Sequence, residues 1–165
     1  MTYLLDANVF IQAKNLHYGL DFCPAFWDWL AEKNTAGMVF SIDKVADELE
    51  AGSDELTSWM RRQNPNMFRK TDAHVMPHFA AVSTWVMGQN YEQTAINTFL
   101  QVADYYLIAH ALADNLVVVT HEVAASSTKK IKIPNVCAGL GLRFMTPYQC
   151  ALKERVSYLG PYEQG

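Results

Sequence analysis

Cysteine is scarce in this sequence, and its three cysteines stand far apart, at positions 23, 137 and 150. No pair has the C-x-x-C spacing and the count is odd, which argues against a disulfide framework or a zinc knuckle. The chain also lacks an apolar run long enough to span a bilayer. Its first residues lack the basic start of a secretory signal. We therefore expect a cytoplasmic protein that makes no contact with a membrane.

An excess of basic residues is missing as well. Lysine and arginine number 13 against 17 acidic residues, which gives a net charge of −4. This excludes a protein held to nucleic acid by bulk positive charge, so nucleic-acid binding would require a local basic patch or a bound metal. Internal repeats, low-complexity runs and linkers are absent. Half of the 165 residues are hydrophobic, which predicts one folded domain spanning residues 1–165.

Short apolar runs alternate with amphipathic segments along the chain. The runs at 3–5, 38–40 and 116–120 are interpreted as strands buried on both faces, and 129–133 as a further short strand before Pro134. Helices are predicted at 8–14, from Pro24 to about 34, from an N-cap at Ser41 to about 52, and at 53–64, 105–113 and 147–156. Residues 17–24 are predicted to form a loop, and helices are favoured over strands in 66–100. This alternation predicts an α/β fold with a mostly parallel sheet.

Polar residues follow two of the predicted strands directly. Asp6 comes after the first strand, and Thr120 and Glu122 come at the end of the strand richest in β-branched residues. In parallel sheets, ligands bind beyond the carboxyl ends of the strands. We therefore expect these side chains to meet at one edge of the sheet.

Two further carboxylates lie on predicted helices. Asp104 begins a stripe that continues through Leu107, Ile108 and Ala111, so it falls on the buried face of its helix. Glu48 lies at the edge of another apolar face. A carboxylate in such a position is unfavourable unless it is paired or bound to a metal.

Each acid also has an ordinary explanation. Asp6 is a suitable N-cap for the following helix, and Asp104 is favoured in a first helical turn by the helix dipole. Together, however, the carboxylates would repel one another unless a divalent cation neutralised them. Carboxylate oxygens suit Mg²⁺ or Mn²⁺ better than zinc. Four residues make up this acidic group: Asp6, Glu48, Asp104 and Glu122.

The chain resembles the PIN domains, a family of metal-dependent nucleases that includes the ribonuclease toxins of toxin–antitoxin pairs. The resemblance rests on four segments in the right order: LLDAN at 4–8, SIDKVADEL at 41–49, ADYYLIAHA at 103–111 and VVVTHE at 117–122. It departs from the family at Glu122, where aspartate is usual, and in the greater length of 54–100. A subgroup with a Thr-x-Glu ending is the most similar. The resemblance implies a three-layer PIN-like sandwich, with a central, mostly parallel sheet flanked by helices.

The same resemblance implies the hydrolysis of RNA phosphodiester bonds with Mg²⁺ or Mn²⁺, leaving 5′-phosphate and 3′-hydroxyl ends. Asp6 and Asp104 would be the core metal ligands and Glu48 would hold or orient a water. Glu122 would complete the cluster or bind a second ion.

Several other residues and partners belong to this expectation. Asn8 and Thr120 would orient the ligands or waters from behind. Lys129, Lys130 and Lys132 are the densest basic run, and either track an RNA backbone or protect a solvated edge strand. Arg61, Arg62, Arg69 and Lys70 form a second basic surface with the same ambiguity. The partners implied are an RNA substrate, an antitoxin protein and a second copy of the chain in a homodimer.

Two other functions remain open from the sequence. A haloacid-dehalogenase-like phosphatase also uses an aspartate after the first strand, but it needs a carboxylate at the position of Asn8. The second alternative is a nonenzymatic one: a PIN-like protein of weak or no activity that binds nucleic acid or a partner. The glutamate at position 122, where aspartate is usual, leaves this alternative possible.

Overall fold

A computed structural model describes residues 1–17, 24–52 and 54–158 of the chain. Within them, five parallel strands form one sheet in the order β3-β2-β1-β4-β5. The strands are β1 (Tyr3–Leu5), β2 (Val39–Ile42), β3 (Phe68–Arg69), β4 (Val117–Val119) and β5 (Phe144–Met145). The α/β fold with a parallel sheet is therefore confirmed.

Helices cover both faces of the sheet. In chain order they are α1 (Ala7–Gln12), α2 (Pro24–Thr35), α3 (Asp43–Ala51), α4 (Glu55–Arg61), α5 (Met76–Met87), α6 (Gln93–Phe99), α7 (Ala103–Asp114), α8 (Ile133–Gly139) and α9 (Pro147–Tyr158). A π-helical turn, Ala13–His17, extends α1, and a 3-10 turn, Pro65–Met67, precedes β3. Within these described residues, no helix is both long and apolar enough to cross a membrane.

The centre of the sheet is the most buried part of the core. β1 pairs with β2 on one side and with β4 on the other, in the registers Tyr3↔Val39 and Tyr3↔Val117. All three residues of β1 and of β4 are buried, which is why both strands read as continuous apolar runs. The packing therefore fixes Asp6 and Thr120, the next residue after each strand, at neighbouring positions.

Two sequence predictions are wrong. Ser41 is not an N-cap: β2 continues through it, and its hydroxyl donates a buried hydrogen bond of 2.7 Å to the carbonyl oxygen of Leu5. Residues 129–133 do not form a strand, because the chain is irregular up to Lys132 and α8 begins at Ile133. Lys129, Lys130 and Lys132 therefore do not protect an edge strand, and that interpretation of the lysine run is wrong as well.

The undecided stretch 66–100 is mainly helical, as favoured, and contains α5 and α6. Its two-residue strand β3 was not predicted, nor was β5, because runs this short have no usable periodicity. Pro24 does open α2. Most of the loop predicted at 17–24 lies outside the described residues.

Candidate active site

The acidic group is built at the point where the sheet changes direction. In the order β3-β2-β1-β4-β5, the chain progresses outward from β1 on one side and from β4 on the other. Such a switch point leaves a crevice at the carboxyl ends of the two central strands. Asp6 and Thr120 lie there, buried to 5% and 1% exposure.

A hydrogen-bond network fixes Asp6 from behind. The hydroxyl of Thr120 donates to Oδ2 of Asp6 at 2.9 Å. The same hydroxyl oxygen accepts from Nδ2 of Asn8 at 3.3 Å and from the backbone N–H of Glu122 at 3.1 Å. Oδ1 of Asn8 in turn accepts from the backbone N–H of His121 at 3.2 Å. Thr120 and Asn8 thus lie where residues that orient a carboxylate would lie.

This network bears on two alternatives that the sequence left open, an N-cap role for Asp6 and a haloacid-dehalogenase-like site. Asp6 occupies the N-cap position of α1, but its side chain makes no capping hydrogen bond there. Both ends of the Asn8 amide are engaged with Thr120 and His121. The position where a haloacid-dehalogenase-like phosphatase needs a second carboxylate is therefore occupied by a structural amide.

Asp104 and Glu48 approach from two helices. Asp104 lies in the first turn of α7, partly buried, above the buried residues Leu107 and Ile108. Glu48 lies on α3, and the backbone N–H of Ala103, the first residue of α7, lowers the pKa of its carboxyl, which places this carboxyl at the start of α7. Glu48 and Asp104 therefore share one helix N-terminus, where the helix dipole favours negative charge.

Mutual repulsion shows that the acids are close together. The pKa of Asp6 is raised to about 6, chiefly by burial; the Thr120 hydrogen bond opposes this rise, and the charges of Glu122 and Glu48 contribute to it. The pKa of Asp104 is raised to about 7, chiefly by burial and also by repulsion from Asp6, Glu122 and Glu48. Burial also raises the pKa of Glu48. The fold thus concentrates negative charge that it does not fully compensate.

The carboxylate of Glu122 is bonded to the chain that follows it. Its Oε2 accepts a hydrogen bond of 2.8 Å from the backbone N–H of Ile133, the first residue of α8. Its Oε1 lies 3.8 Å from the ammonium of Lys132. Glu122 therefore joins the acidic group while also tying the chain that follows it to α8.

A cleft of about 480 Å³ opens over the acidic group. Glu48, Asp104 and Glu122 line it together with Lys129 and Lys130. The charge of Lys130 lowers the pKa of Asp104, which places the lysine within electrostatic reach of that acid. Lys129 and Lys130 therefore line the cleft together with the acids. Lys132, the third lysine of the predicted run, lies beside Glu122.

The remaining wall of this cleft comes from α6 and was not predicted. Thr94, Ala95, Thr98 and Phe99 belong to it. The spacing of Thr94 and Thr98, four residues apart, is a signal of a polar helical face, but it lies in the region where the sequence pattern left the elements undecided. The cleft consequently combines acidic, basic and hydroxyl-bearing surfaces.

The second basic surface lies elsewhere. Arg69 and Lys70 line a separate cleft of about 690 Å³ beside β3 and the last turn of α7. The guanidinium of Arg69 is paired with Asp114 at 3.1 Å and stacks on the ring of Phe40 at 3.9 Å. Arg69 is thus held within the fold and is not part of the acidic cleft.

The donor chemistry of the acidic group suits Mg²⁺ or Mn²⁺, since both prefer carboxylate oxygens. Among the described residues, no three histidine, cysteine, aspartate or glutamate side chains form a ready-made cage for a metal ion. The carboxylates therefore suit a divalent cation, because their oxygens are the preferred ligands and their negative charge is not fully balanced. To coordinate the ion, the side chains would have to move closer together.

The fold of this chain is similar to that of a known structure. A solved structure, that of VapBC2 from Rickettsia felis bound to a DNA fragment from their promoter, is similar with a TM-score of 0.55 and 16% sequence identity. The match covers 88% of this chain and 98% of that chain. This likeness supports a PIN-like α/β fold.

The sequence also matches the model of one protein family. A family model described as "Domain of unknown function (DUF4411)" matches residues 3–158, and the chain belongs to that family. None of the curated proteins compared with the chain matches it.

Proposed function

We propose that this protein is a metal-dependent endoribonuclease. The observation that carries the proposal is the convergence of Asp6, Glu48, Asp104 and Glu122 at the switch point of the sheet, where burial raises the pKa values of the first three and repulsion adds to the rise at Asp6 and Asp104. Carboxylates gathered without equal positive charge suit the binding of a divalent cation. The lysines across the cleft suit a polyanionic substrate.

Asp6 and Asp104 are assigned as the principal ligands of Mg²⁺ or Mn²⁺, because they are the acids with the largest pKa shifts at the centre of the group. When bound, the cation would activate water and stabilise charge on the phosphate. Glu48 is assigned to orient the attacking water, and Glu122 completes the acidic edge. Thr120 and Asn8 hold Asp6 in place.

Substrate binding is assigned to the lysines of the cleft. Lys129 and Lys130 would contact phosphates on either side of the scissile bond, and Lys132 would contribute from beside Glu122. Cleavage would leave a 5′-phosphate and a 3′-hydroxyl without a covalent enzyme intermediate. Contacts to phosphate position a nucleic acid without selecting its sequence, so base selection must come from other parts of the cleft.

A role as the toxin of a toxin–antitoxin pair is proposed on the same basis. The structurally similar protein is VapBC2, solved on a fragment of its promoter DNA. We propose that this chain also acts in the cytoplasm, pairs with an antitoxin and forms a homodimer. An antitoxin would block the cleft most simply by inserting an arginine or lysine among the carboxylates.

The test is the incubation of the purified chain with single-stranded RNA in the presence of Mg²⁺, Mn²⁺ or EDTA. We expect cleavage with the metals, none with EDTA, and none by Asp6→Asn or Asp104→Asn. Cleavage by the wild-type chain that persists in EDTA, or cleavage by Asp6→Asn that equals wild type with metal, would contradict the proposal. RNA binding without cleavage under all conditions would favour the nonenzymatic alternative, a binding protein with a PIN-like fold.

A further inference from the structure

The segment 121–132, which we call the strap, joins β4 to α8 without regular secondary structure. Its middle is fixed by the side chain of Asn135. Oδ1 of Asn135 accepts from the N–H of Ala125 at 3.0 Å, and its Nδ2 donates to the carbonyl oxygen of Ala125 at 2.9 Å. This paired hydrogen bond anchors the strap to α8.

Two further bonds hold the strap on its other sides. The N–H of Glu92, at the start of α6, donates to the carbonyl oxygen of Thr128 at 2.9 Å. At the beginning of the strap, the N–H of His121 donates to Asn8. The strap is therefore attached to α1, α6 and α8, of which α6 lines the cleft.

The strap carries the positive side of the cleft. Lys129 and Lys130 belong to the strap and line the cleft, and the positive charge of Lys130 lowers the pKa of Asp104. Since an exposed lysine is flexible, the distance of these ammonium groups from the acids depends on where the backbone of the strap is held. The position of the strap thus sets the position of the cations.

Glu122 ties the two ends of the strap together. Its own N–H is bonded to Thr120 at the first end, and its Oε2 accepts from the N–H of Ile133 directly after the last residue, at 2.8 Å. An aspartate here would be one methylene shorter, and its oxygens would fall outside hydrogen-bond distance of that N–H. This reach gives a physical reason for glutamate at a position where the resembled family usually has aspartate.

We propose that Glu122 is the latch of the strap: a positioning residue that holds Lys129 and Lys130 over the acidic group, so that they bind phosphates of the substrate. The role of the lysines rests on the proposed function, whereas the latch itself rests on the hydrogen bonds alone. On this proposal, the length and the acceptor oxygen of Glu122 matter more than its charge.

Two substitutions separate this role from that of a metal ligand. Glu122→Gln keeps the length and a carbonyl oxygen that accepts from the Ile133 N–H, but it removes the charge. Glu122→Asp keeps the charge but loses the reach. A latch therefore tolerates glutamine better than aspartate, while a metal ligand tolerates aspartate better than glutamine.

The first measurement is amide hydrogen exchange of the strap in metal-free protein without RNA. We expect exchange at Ala125 and Ile133 to be faster by about tenfold or more in Glu122→Asp and close to wild type in Glu122→Gln. Asn135→Ala is the matched control, because it loosens the same strap from a residue outside the acidic group. It should accelerate exchange at Ala125 in the same way.

The second measurement is cleavage of single-stranded RNA. In Glu122→Asp and in Asn135→Ala we expect KM to rise about tenfold with a much smaller change in kcat, because a loosened strap weakens phosphate binding before it affects the chemistry. Glu122→Gln should have a KM nearer to wild type than Glu122→Asp.

The opposite order overturns the proposal. If the strap keeps its protection in Glu122→Asp but loses it in Glu122→Gln, Glu122 acts through its charge and is not a latch. A fall in kcat with unchanged KM in Glu122→Asp would have the same meaning. If the wild-type chain cleaves no RNA, the proposed function fails, and the exchange measurement still decides whether Glu122 holds the strap.

Discussion

The hydroxyl of Thr120 donates a 2.9 Å hydrogen bond to Oδ2 of Asp6, and this one bond joins the carboxyl ends of the two central strands. Both side chains are buried, so water cannot replace either partner. The bond favours the ionised form of Asp6 and opposes the rise in its pKa that burial causes. Thr120 thus fixes both the orientation of this carboxylate and the ease with which it ionises.

Replacing Thr120 by valine should therefore impair Asp6 without changing the shape of the core. We expect Thr120→Val to lose about 1–3 kcal/mol of stability, because Asn8 and the N–H of Glu122 also lose their acceptor. The pKa of Asp6 should rise, and Mn²⁺ binding at pH 6 should weaken. Chemical denaturation and calorimetric titration measure the two effects. Thr120→Ser, which keeps the hydroxyl, should behave like wild type, and equal losses in both variants would refute this role.

Neutralising the central acids should remove cation binding. In Asp6→Asn and Asp104→Asn we expect no Mn²⁺ binding by calorimetry and no cleavage of RNA. Because each substitution relieves repulsion, the metal-free variants should melt at the wild-type temperature or a few degrees higher at pH 7.5. Unchanged Mn²⁺ affinity in both variants would show that these acids are not the ligands.

Stability of the metal-free protein should fall as the pH rises from about 4 to about 7. Asp6 and Asp104 have pKa values of about 6 and 7 in the folded chain, against 3.8 ordinarily. Between these limits the folded state binds more protons than the unfolded state, so raising the pH favours unfolding. A melting temperature lower by about 5 °C or more at pH 7.5 than at pH 5 is expected. Saturating Mn²⁺ should reduce the difference, and Asp104→Asn should flatten it without metal. A flat wild-type profile would contradict the pKa shifts.

The lysines of the strap should contribute most of the salt dependence of RNA binding. Changing Lys129, Lys130 and Lys132 to alanine should weaken binding and lower the slope of log affinity against log salt by about two to three. A filter-binding series at several salt concentrations measures this slope. The control pair Arg62→Ala and Lys70→Ala removes exposed charges away from the acidic cleft. If that pair lowers the slope as much as the lysine variant does, RNA binds elsewhere.

Induced expression should arrest the growth of a bacterial host that lacks an antitoxin. The cleft is open and is lined by Glu48, Asp104 and Glu122, so the proposed activity would need an external inhibitor. The comparison is with Asp6→Asn, expressed at the same level and equally soluble. Equal growth of the two strains would argue against the toxin role while leaving the nuclease role to the RNA assay.

The main elements of the site could be predicted because burial leaves a clear pattern. β1 and β4 are covered on both faces, so they appear as apolar runs with Asp6 and Thr120 at their ends. The stripe after Asp104 marks the inner face of α7 in the same way. These patterns, with the rule that parallel strands share one binding edge, suffice to bring the acids together.

The strap could not be predicted because its order comes from single hydrogen bonds between distant residues. Asn135 and Ala125 are joined by backbone and side-chain contacts that no periodicity reports. Lysines before a proline resemble an edge strand equally well, and that interpretation was wrong. Ser41 was misassigned for a related reason. A serine before a helix suits a cap, but here its hydroxyl donates a hydrogen bond to the carbonyl oxygen of Leu5 on the neighbouring strand.

The central place of β1 also determines when the site can exist during synthesis of the chain. Asp6 leaves the ribosome well before the partner that orients it, because Thr120 follows more than a hundred residues later. Parallel pairing of β1 with β4 must wait for that distant strand. The latch needs Ile133, which comes later still. A nascent chain therefore carries its acids unassembled until Thr120 and Ile133 have left the ribosome, and whatever chemistry the cleft performs cannot begin before then.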